Sequence, residues 1–539
     1  MSENIASTDF ARRTLLERMR SGIPRLDFIL KGGLVVGGTY TVMGPPGSGK
    51  TILANQTCFN HIAAEQGICV YMTLLAESHS KMLRHLETLE FFKPHCVSEG
   101  KLTYISGYQT LKKHGLKGVL ELIRKTVKKT KASFFVLDGL QAVEKLASEP
   151  SSFDEFLHEL QAFVSMLRCT TLLLTPSGKT RSDDVQNVIV DGVIELSYRL
   201  VGPRAVRELT VHKFRGTDYL LGKHEVEITH EGIQIHPRTE IQFNEPTENA
   251  EERRVRMGFG ISRLDEMLNG GLLSGTATTL LGSPGTGKTL LGLSFLVEGA
   301  KRGQPGIYFG FYEPPPRLIE KAERVGIPLR RYICDGLVEL VWQPPLEHLM
   351  DSLAERLLEK LRPEAADSDK RRLFVDGAEG FRAASVHMDR MPRFFSALAN
   401  QLRMLDVTTL VSEELDLFKS EVEMPNPELA TATEGVILLR YVELSSQIHR
   451  LISILKMRES RYDTSIREFD ITDRGIAVSD SFESAEALLG GQGALLSGKA
   501  PRTALPVRPR LAQPRLAVKV RNRLTSTKRR RMTTGGRRK

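Results

Sequence analysis

Short, nearly uninterrupted apolar runs alternate along this chain with longer stretches whose apolar residues return every three or four positions. Thr39 to Met43, Phe134 to Leu137 and Thr171 to Thr175 are runs of the first kind, and Thr278 to Leu281 and Leu373 to Val375 repeat them further on. Runs this short, rich in β-branched and aromatic residues, predict strands. Val119 to Lys128, Phe153 to Leu167, Leu346 to Leu361 and Phe394 to Leu405 carry the helical period instead. Strand and helix in alternation predict an α/β fold, a mostly parallel sheet wrapped by helices.

The pattern occurs twice at a fixed spacing of 238 residues, the distance from Lys50 to Lys288. Ile23-Pro24-Arg25-Leu26-Asp27 returns as Ile261-Ser262-Arg263-Leu264-Asp265, and Gly32-Gly33-Leu34 returns as Gly270-Gly271-Leu272. A repeat this long is a duplicated domain, because each copy can bury a core of its own. The predicted division is a first domain over 10–243, a polar linker with Pro246 over 244–254, a second domain over 255–485 and a tail over 486–539.

Each copy carries the same octapeptide between a predicted strand and a predicted helix. The first reads Gly44-Pro45-Pro46-Gly47-Ser48-Gly49-Lys50-Thr51 and the second Gly282-Ser283-Pro284-Gly285-Thr286-Gly287-Lys288-Thr289. Both fit G-x-x-x-x-G-K-[ST], in which the glycines let backbone N–H groups wrap a phosphate chain at a helix N-terminus. Lys50 and Lys288 would reach the β- and γ-phosphates, and Thr51 and Thr289 would hold Mg²⁺. Asp138 and Asp376 each end an apolar strand, the position of a carboxylate that supports that Mg²⁺. Two loops in matched context predict ATP with Mg²⁺ as the bound species. An Asp at a strand end can also simply cap the next turn.

Composition adds bounds. With 539 residues, 41% of them apolar, the chain has ample material for two cores. No apolar stretch approaches the roughly 18 residues of a membrane span, and the polar start Met1-Ser2-Glu3-Asn4 does not read as a secretory signal. Cys58, Cys69, Cys96, Cys169 and Cys334 are scattered without metal-like spacing, as expected of free thiols in the cytoplasm. Residues 499–539 hold 15 Lys/Arg and no Asp or Glu, which leaves the preceding body at −5 of the chain's +10. The tail is expected to be disordered and free to meet nucleic acid, anionic lipid or an acidic protein surface. It has no interleaved aromatics, which argues against sequence-specific reading.

Taken together, the Ile-Pro-Arg-Leu-Asp segment, Gly-Gly-Leu, strand and phosphate loop resemble the RecA-like ATPases, and specifically the KaiC family. The resemblance covers roughly residues 15 to 485. It is close at Leu438-Leu439-Arg440-Tyr441-Val442-Glu443, at Leu455-Lys456-Met457-Arg458, and at Ile466-Arg467-Glu468-Phe469-Asp470-Ile471-Thr472-Asp473; Val211-His212-Lys213-Phe214-Arg215-Gly216-Thr217 is similar in the first copy. The resemblance implies a hexamer of stacked double rings with ATP between neighbouring subunits. Lys213 and Arg215, and Lys456 and Arg458, would then reach the γ-phosphate held by the adjacent subunit. Lys-x-Arg on a strand places both cations on one face, and paired cations stabilise phosphoryl-transfer charge.

The chain departs from that family at two places. Where the family has two adjacent glutamates as catalytic base, the second copy reads Phe311-Tyr312-Glu313-Pro314-Pro315 and the first Leu74-Leu75-Ala76-Glu77-Ser78, leaving Glu313 and Glu77 as candidates. Hydrolysis is expected to be slow, and one ring to do no more than hold ATP. Where the family has a phosphate-accepting Ser-Thr pair, this chain has Ala430-Thr431, followed by Ala432-Thr433-Glu434. A hydroxyl must accept the phosphoryl group, so Thr431 remains as a single candidate acceptor, with Thr433 the weaker alternative. Three functions stay open: a KaiC-type hydrolysing timing or signalling switch with autokinase activity, a RecA-like DNA-handling ATPase anchored by the tail, and an ATP-assembled scaffold without turnover. For the second, the DNA-facing loop Ser177 to Asn187 mixes Lys179 and Arg181 with Asp183 and Asp184, a poor footprint for phosphate.

Overall fold

The computed structural model describes residues 16–75, 79–147, 149–176, 189–242, 255–344, 348–362, 371–415, 427–444, 447–458 and 460–479. Glu77, the loop 177–187, the linker 244–254 and the basic tail lie outside them. Each half is built on a nine-stranded sheet. In the first, the strands run from edge to edge as Gly232–His236, Lys223–Thr229, Arg204–Phe214, Gly192–Val201, Thr39–Met43, Thr170–Thr175, Phe134–Asp138, Cys69–Thr73 and Leu102–Ser106. The last six pair in parallel and the first four form an antiparallel meander, the two sets sharing Gly192–Val201. The second sheet repeats this order from Gly475–Val478 to Val338–Trp342.

The apolar runs occupy the middle of each sheet because both faces there are covered. Val42, Val136, Leu172 and Leu174 pack toward the helix Lys50–Glu65, while Leu137, Leu173 and Phe135 pack toward Tyr108–Thr130 and Pro150–Met166. The predicted helix Val119 to Lys128 is the core of a longer element, Tyr108–Thr130, which is broken at Gly115, where φ is 62° and ψ −157°. Periodicity located the part after the break and missed the turns before it, of which Leu111 alone is buried.

The two halves belong to one compact unit, and polar groups join them. His236 Nδ1 meets Glu355 Oε2 at 2.6 Å. The Asp351 N–H donates to Glu225 Oε2 at 2.8 Å, and Arg390 bridges Glu240 and Asp351 at 2.8 and 2.9 Å. Asp351 is fully buried, so the Arg390 guanidinium and the Thr239 N–H and hydroxyl are what make its burial tolerable.

Candidate nucleotide sites

Both octapeptides lie at the carboxyl ends of the central strands, between Thr39–Met43 or Ala277–Gly282 and the helices Lys50–Glu65 or Lys288–Lys301. Gly49 and Gly287 start those helices at φ 105° and 107°, a left-handed backbone that a side chain resists. A Cβ there would also meet Ile228 Cδ1 at 3.0 Å or Ile471 Cδ1 at 2.8 Å. The antiparallel meander thus fixes each loop from above.

Lys50 Nζ donates to the carbonyls of Gly44 and Pro45 at 2.5 and 3.0 Å, and Lys288 Nζ to those of Gly282 and Ser283 at 2.6 and 3.1 Å. Burial depresses both ammonium groups below the ordinary lysine value, against the pull of Asp138 on Lys50 and of Glu414 and Asp376 on Lys288. A desolvated lysine whose hydrogen bonds go to carbonyl dipoles gains strongly from an anion, although Lys288 also has Glu414 Oε1 at 3.9 Å. The Ser48 hydroxyl is buried without a hydrogen-bond partner inside the first loop.

Asp376 accepts from the hydroxyls of Thr289 at 2.9 Å, Tyr308 at 3.0 Å and Ser412 at 2.8 Å. Asp138 accepts from Tyr71 at 2.7 Å. A threonine hydroxyl and a carboxylate are the hard oxygen donors that suit Mg²⁺, so the residues present fit that ion. Sequence reasoning missed Tyr71 and Tyr308. The signal was there: Val70-Tyr71 and Ile307-Tyr308 repeat at a spacing one residue shorter than the loops do.

That shorter spacing also bears on the candidate base. Thr73 pairs with Asp138 as Gly310 pairs with Asp376. Counting on from these, Leu75 takes the place of Tyr312, and the sequence position matching Glu313 is Ala76. Glu313 lines a cavity of about 550 Å³ together with Lys288, Thr289, Asp376, Glu379 and Glu414. Its counterpart in the first half is about 600 Å³ and includes Lys50, Thr51, Asp138, Gln141, Pro176 and Arg207. Gln141 and Pro176 stand at the places of Glu379 and Glu414, so the described linings differ in carboxylates. Burial pushes Glu379 above the ordinary carboxylate range, although its Oε1 accepts the Glu414 N–H at 2.6 Å.

Neither Lys-x-Arg pair is among the described residues lining the cavity of its own half. Lys213 Nζ donates to the Val190 carbonyl at 2.7 Å, and Lys456 Nζ to the Thr433 carbonyl at 2.7 Å, the same contact in each copy. The pairs are not simple alternating strand residues. A register shift precedes each lysine, between Val193 and Ile194 and between Val436 and Ile437, and Arg215 and Arg458 fall just past their strands. A bulge of this kind re-aims the side chains beyond it.

Thr431 is exposed on the short helix Pro427–Ala432, and Lys456 brackets it by also donating to the Ala430 carbonyl at 2.6 Å. Thr433 is 1% exposed, its hydroxyl held at 3.1 Å from the Leu429 carbonyl and 2.9 Å from Thr279 Oγ1. Ala430 is buried against Leu281, Val436 and Leu438.

Two mostly parallel sheets, each with a phosphate loop at its switch to helix and an aspartate ending the strand two places away, define a tandem RecA-like P-loop protein. A family model for the KaiC ATPase matches residues 19–240 and 257–483, and the chain belongs to that family. It is 27% identical over 486 residues to the circadian clock oscillator protein KaiC of Parathermosynechococcus lividus, a match covering 88% of each chain. Proteins of the same name from Rippkaea orientalis and Synechococcus elongatus are also 27% identical over 486 residues, covering 88% of this chain and 91% and 92% of theirs. Among the described residues, no helix is long and apolar enough to cross a membrane.

Proposed function

We propose that the chain binds ATP at both phosphate loops, hydrolyses it with Mg²⁺, and works as an oligomeric timing or signalling switch. The observation that carries this is the repeated site: a desolvated lysine folded onto its own loop, facing an aspartate whose position is set by a tyrosine hydroxyl. ATP would take over the Lys50 and Lys288 ammonium groups from loop carbonyls, and the loop amides would bind the phosphate oxygens. Thr51 with Asp138, and Thr289 with Asp376, would hold Mg²⁺. That ion, when bound, would neutralise the charge that develops on the phosphates. Glu313 would orient the attacking water in the second half; in the first, the candidate is Glu77, one sequence position past the register match of Glu313.

Lys213 with Arg215 and Lys456 with Arg458 serve a neighbouring copy in this reading, which is supported by their not being among the described residues that line the cavity of their own half. Homo-oligomerisation follows, with a hexamer as the family's arrangement. The domains over 10–243 and 255–485 would each contribute one ring, and the tail over 486–539 would meet polyanions or acidic surfaces outside them. Thr431 is the proposed phosphoacceptor, supported by its exposure and by Lys456 donating to the carbonyls of Ala430 and Thr433 that flank it.

A time course of the purified protein with Mg²⁺ and γ-labelled ATP, following released phosphate and protein-bound label together, tests all of this. Phosphate release together with label on the protein is the expected result. Release without label would remove the kinase part, and neither signal would leave only an ATP-assembled scaffold.

A further inference from the structure

The second cavity contains a cation that neither the phosphate loop nor the Lys-x-Arg pair supplies. Lys321 Nζ lies 3.0 Å from Glu313 Oε2, and both residues line the same cavity as Lys288 and Asp376. The geometry follows from the sequence between them. Pro314, Pro315 and Pro316 fix the backbone directly after Glu313 and start the helix Pro315–Arg324, whose Leu318 and Ala322 are buried in the core. That helix returns Lys321 to the cavity two turns later. Lys321 also contributes, after burial, to depressing Lys288, so its charge is felt at the phosphate loop. The first half has no such pair among its described residues. By the tyrosine register Lys321 corresponds to Arg84, which lines a separate surface hollow with Lys81, His85 and Thr88 and donates to the Ser80 carbonyl.

We infer that Lys321 is a positioning residue for hydrolysis in the second half: it holds the Glu313 carboxylate over the phosphate loop as the water-orienting group. The inference rests on the reading of Glu313 as that group. An exposed Lys–Glu pair is worth little as stability, so its consequence is orientation and charge at the cavity. The other charged or titratable groups facing this carboxylate's surroundings are Lys288 from the loop, Tyr308 and Tyr312 from its own strand end, Asp376, Glu379 and Glu414. Five of these are acids or phenols, and the three carboxylates would disfavour a further negative charge. Lys321 is the cation in direct contact with it.

The test uses the full chain carrying Lys321→Met, Lys321→Arg or Glu313→Gln, with kcat and KM for ATP measured for each. Second-half turnover is the difference between each protein and its Lys288→Met counterpart. Lys321→Met is expected to lower this kcat about tenfold, with KM changed less than about twofold, and Lys321→Arg to restore it. An unchanged kcat in Lys321→Met, or a rise in KM at constant kcat, overturns the inference while leaving Glu313 in place if Glu313→Gln is inactive. Full second-half turnover in Glu313→Gln removes the reading of Glu313 and this inference with it. A side chain 44% exposed tolerates Met, and an unchanged melting temperature confirms that the variant folds.

Discussion

Thr431 and Thr433 are two positions apart and chemically unequal. The Thr433 hydroxyl is committed to two buried contacts, whereas Thr431 is exposed, with Lys456 donating to the Ala430 and Thr433 carbonyls on either side of it. Thr431→Ala should therefore abolish any protein-bound label from γ-labelled ATP. Thr433→Val should keep the label while lowering stability by about 1–2 kcal/mol, the worth of a buried hydroxyl's lost bonds. Label that survives Thr431→Ala and vanishes in Thr433→Val would reverse the assignment. Ala430 explains why a second acceptor is missing here: its position packs against Leu281, Val436 and Leu438, where a phosphorylated side chain would have to leave the core. At this scale the sequence was readable where chemistry is contiguous, as in the two octapeptides and the strand-ending Asp138 and Asp376. It was hard to read where the partner arrives from another strand or helix: the Ile307-Tyr308 repeat marks Tyr308 without showing that it meets Asp376, and nothing local marks Lys321 as the partner of Glu313. Such pairs depend on sheet register, and the local spacing does not state it.

Arg372 shows how an element can differ between copies that share a fold. It opens the strand Arg372–Asp376, is fully buried, and takes the place of Phe134 in the first half. Its guanidinium lies over the Phe295 ring at 4.5 Å and donates to the carbonyls of Gly258 and Phe295 at 2.6 and 2.8 Å and to Gln304 Oε1 at 3.0 and 2.9 Å. Burial lowers it to about 10, yet its donors are satisfied by neutral oxygens, so the charge is tolerated. Arg372→Met keeps the volume and leaves those oxygens without partners, and should destabilise the second half by roughly 2–4 kcal/mol. Arg372→Lys should recover little, because one ammonium cannot reproduce the fork. Chemical denaturation of the full chain measures both, and a Met variant as stable as the parent would mean that water replaces the arginine. The strand itself was legible from Leu373 to Val375, because an apolar run marks it. The arginine at its head looked like a boundary, since burial of a charge is decided by the Gln304 and Phe295 neighbours that periodicity does not show.

The molecule as a whole depends on how its halves are joined, and here pH supplies the probe. The meander that presses Ile228 onto the first phosphate loop ends at His236, whose ring reaches into the second half. Burial alone would lower this imidazolium, but the Glu227 and Glu355 carboxylates at 3.5 and 2.6 Å outweigh it and push it up to about 9. A histidine raised in the folded state contributes stability that is complete below its unfolded value of about 6.5 and is lost as pH rises through the folded one. The shift corresponds to at most about 3 kcal/mol, and losing it leaves Glu355, a 10%-exposed side chain, with one cationic partner fewer, Arg25 at 3.2 Å remaining. The denaturation midpoint of the parent should thus fall between about pH 6.5 and 9.5 by more than that of His236→Gln, which cannot titrate and should begin lower. Comparison with the variant separates His236 from other groups titrating in that window. If the two midpoints fall in parallel, the imidazolium is not what joins the halves, and Arg390 with its carboxylates Glu240 and Asp351 carries the interface instead. None of this was visible in the duplicated sequence. The repeat specifies each half from its own core, whereas the joint is made of His236, Asp351 and Arg390, residues whose meaning appears only when the second copy is set beside the first.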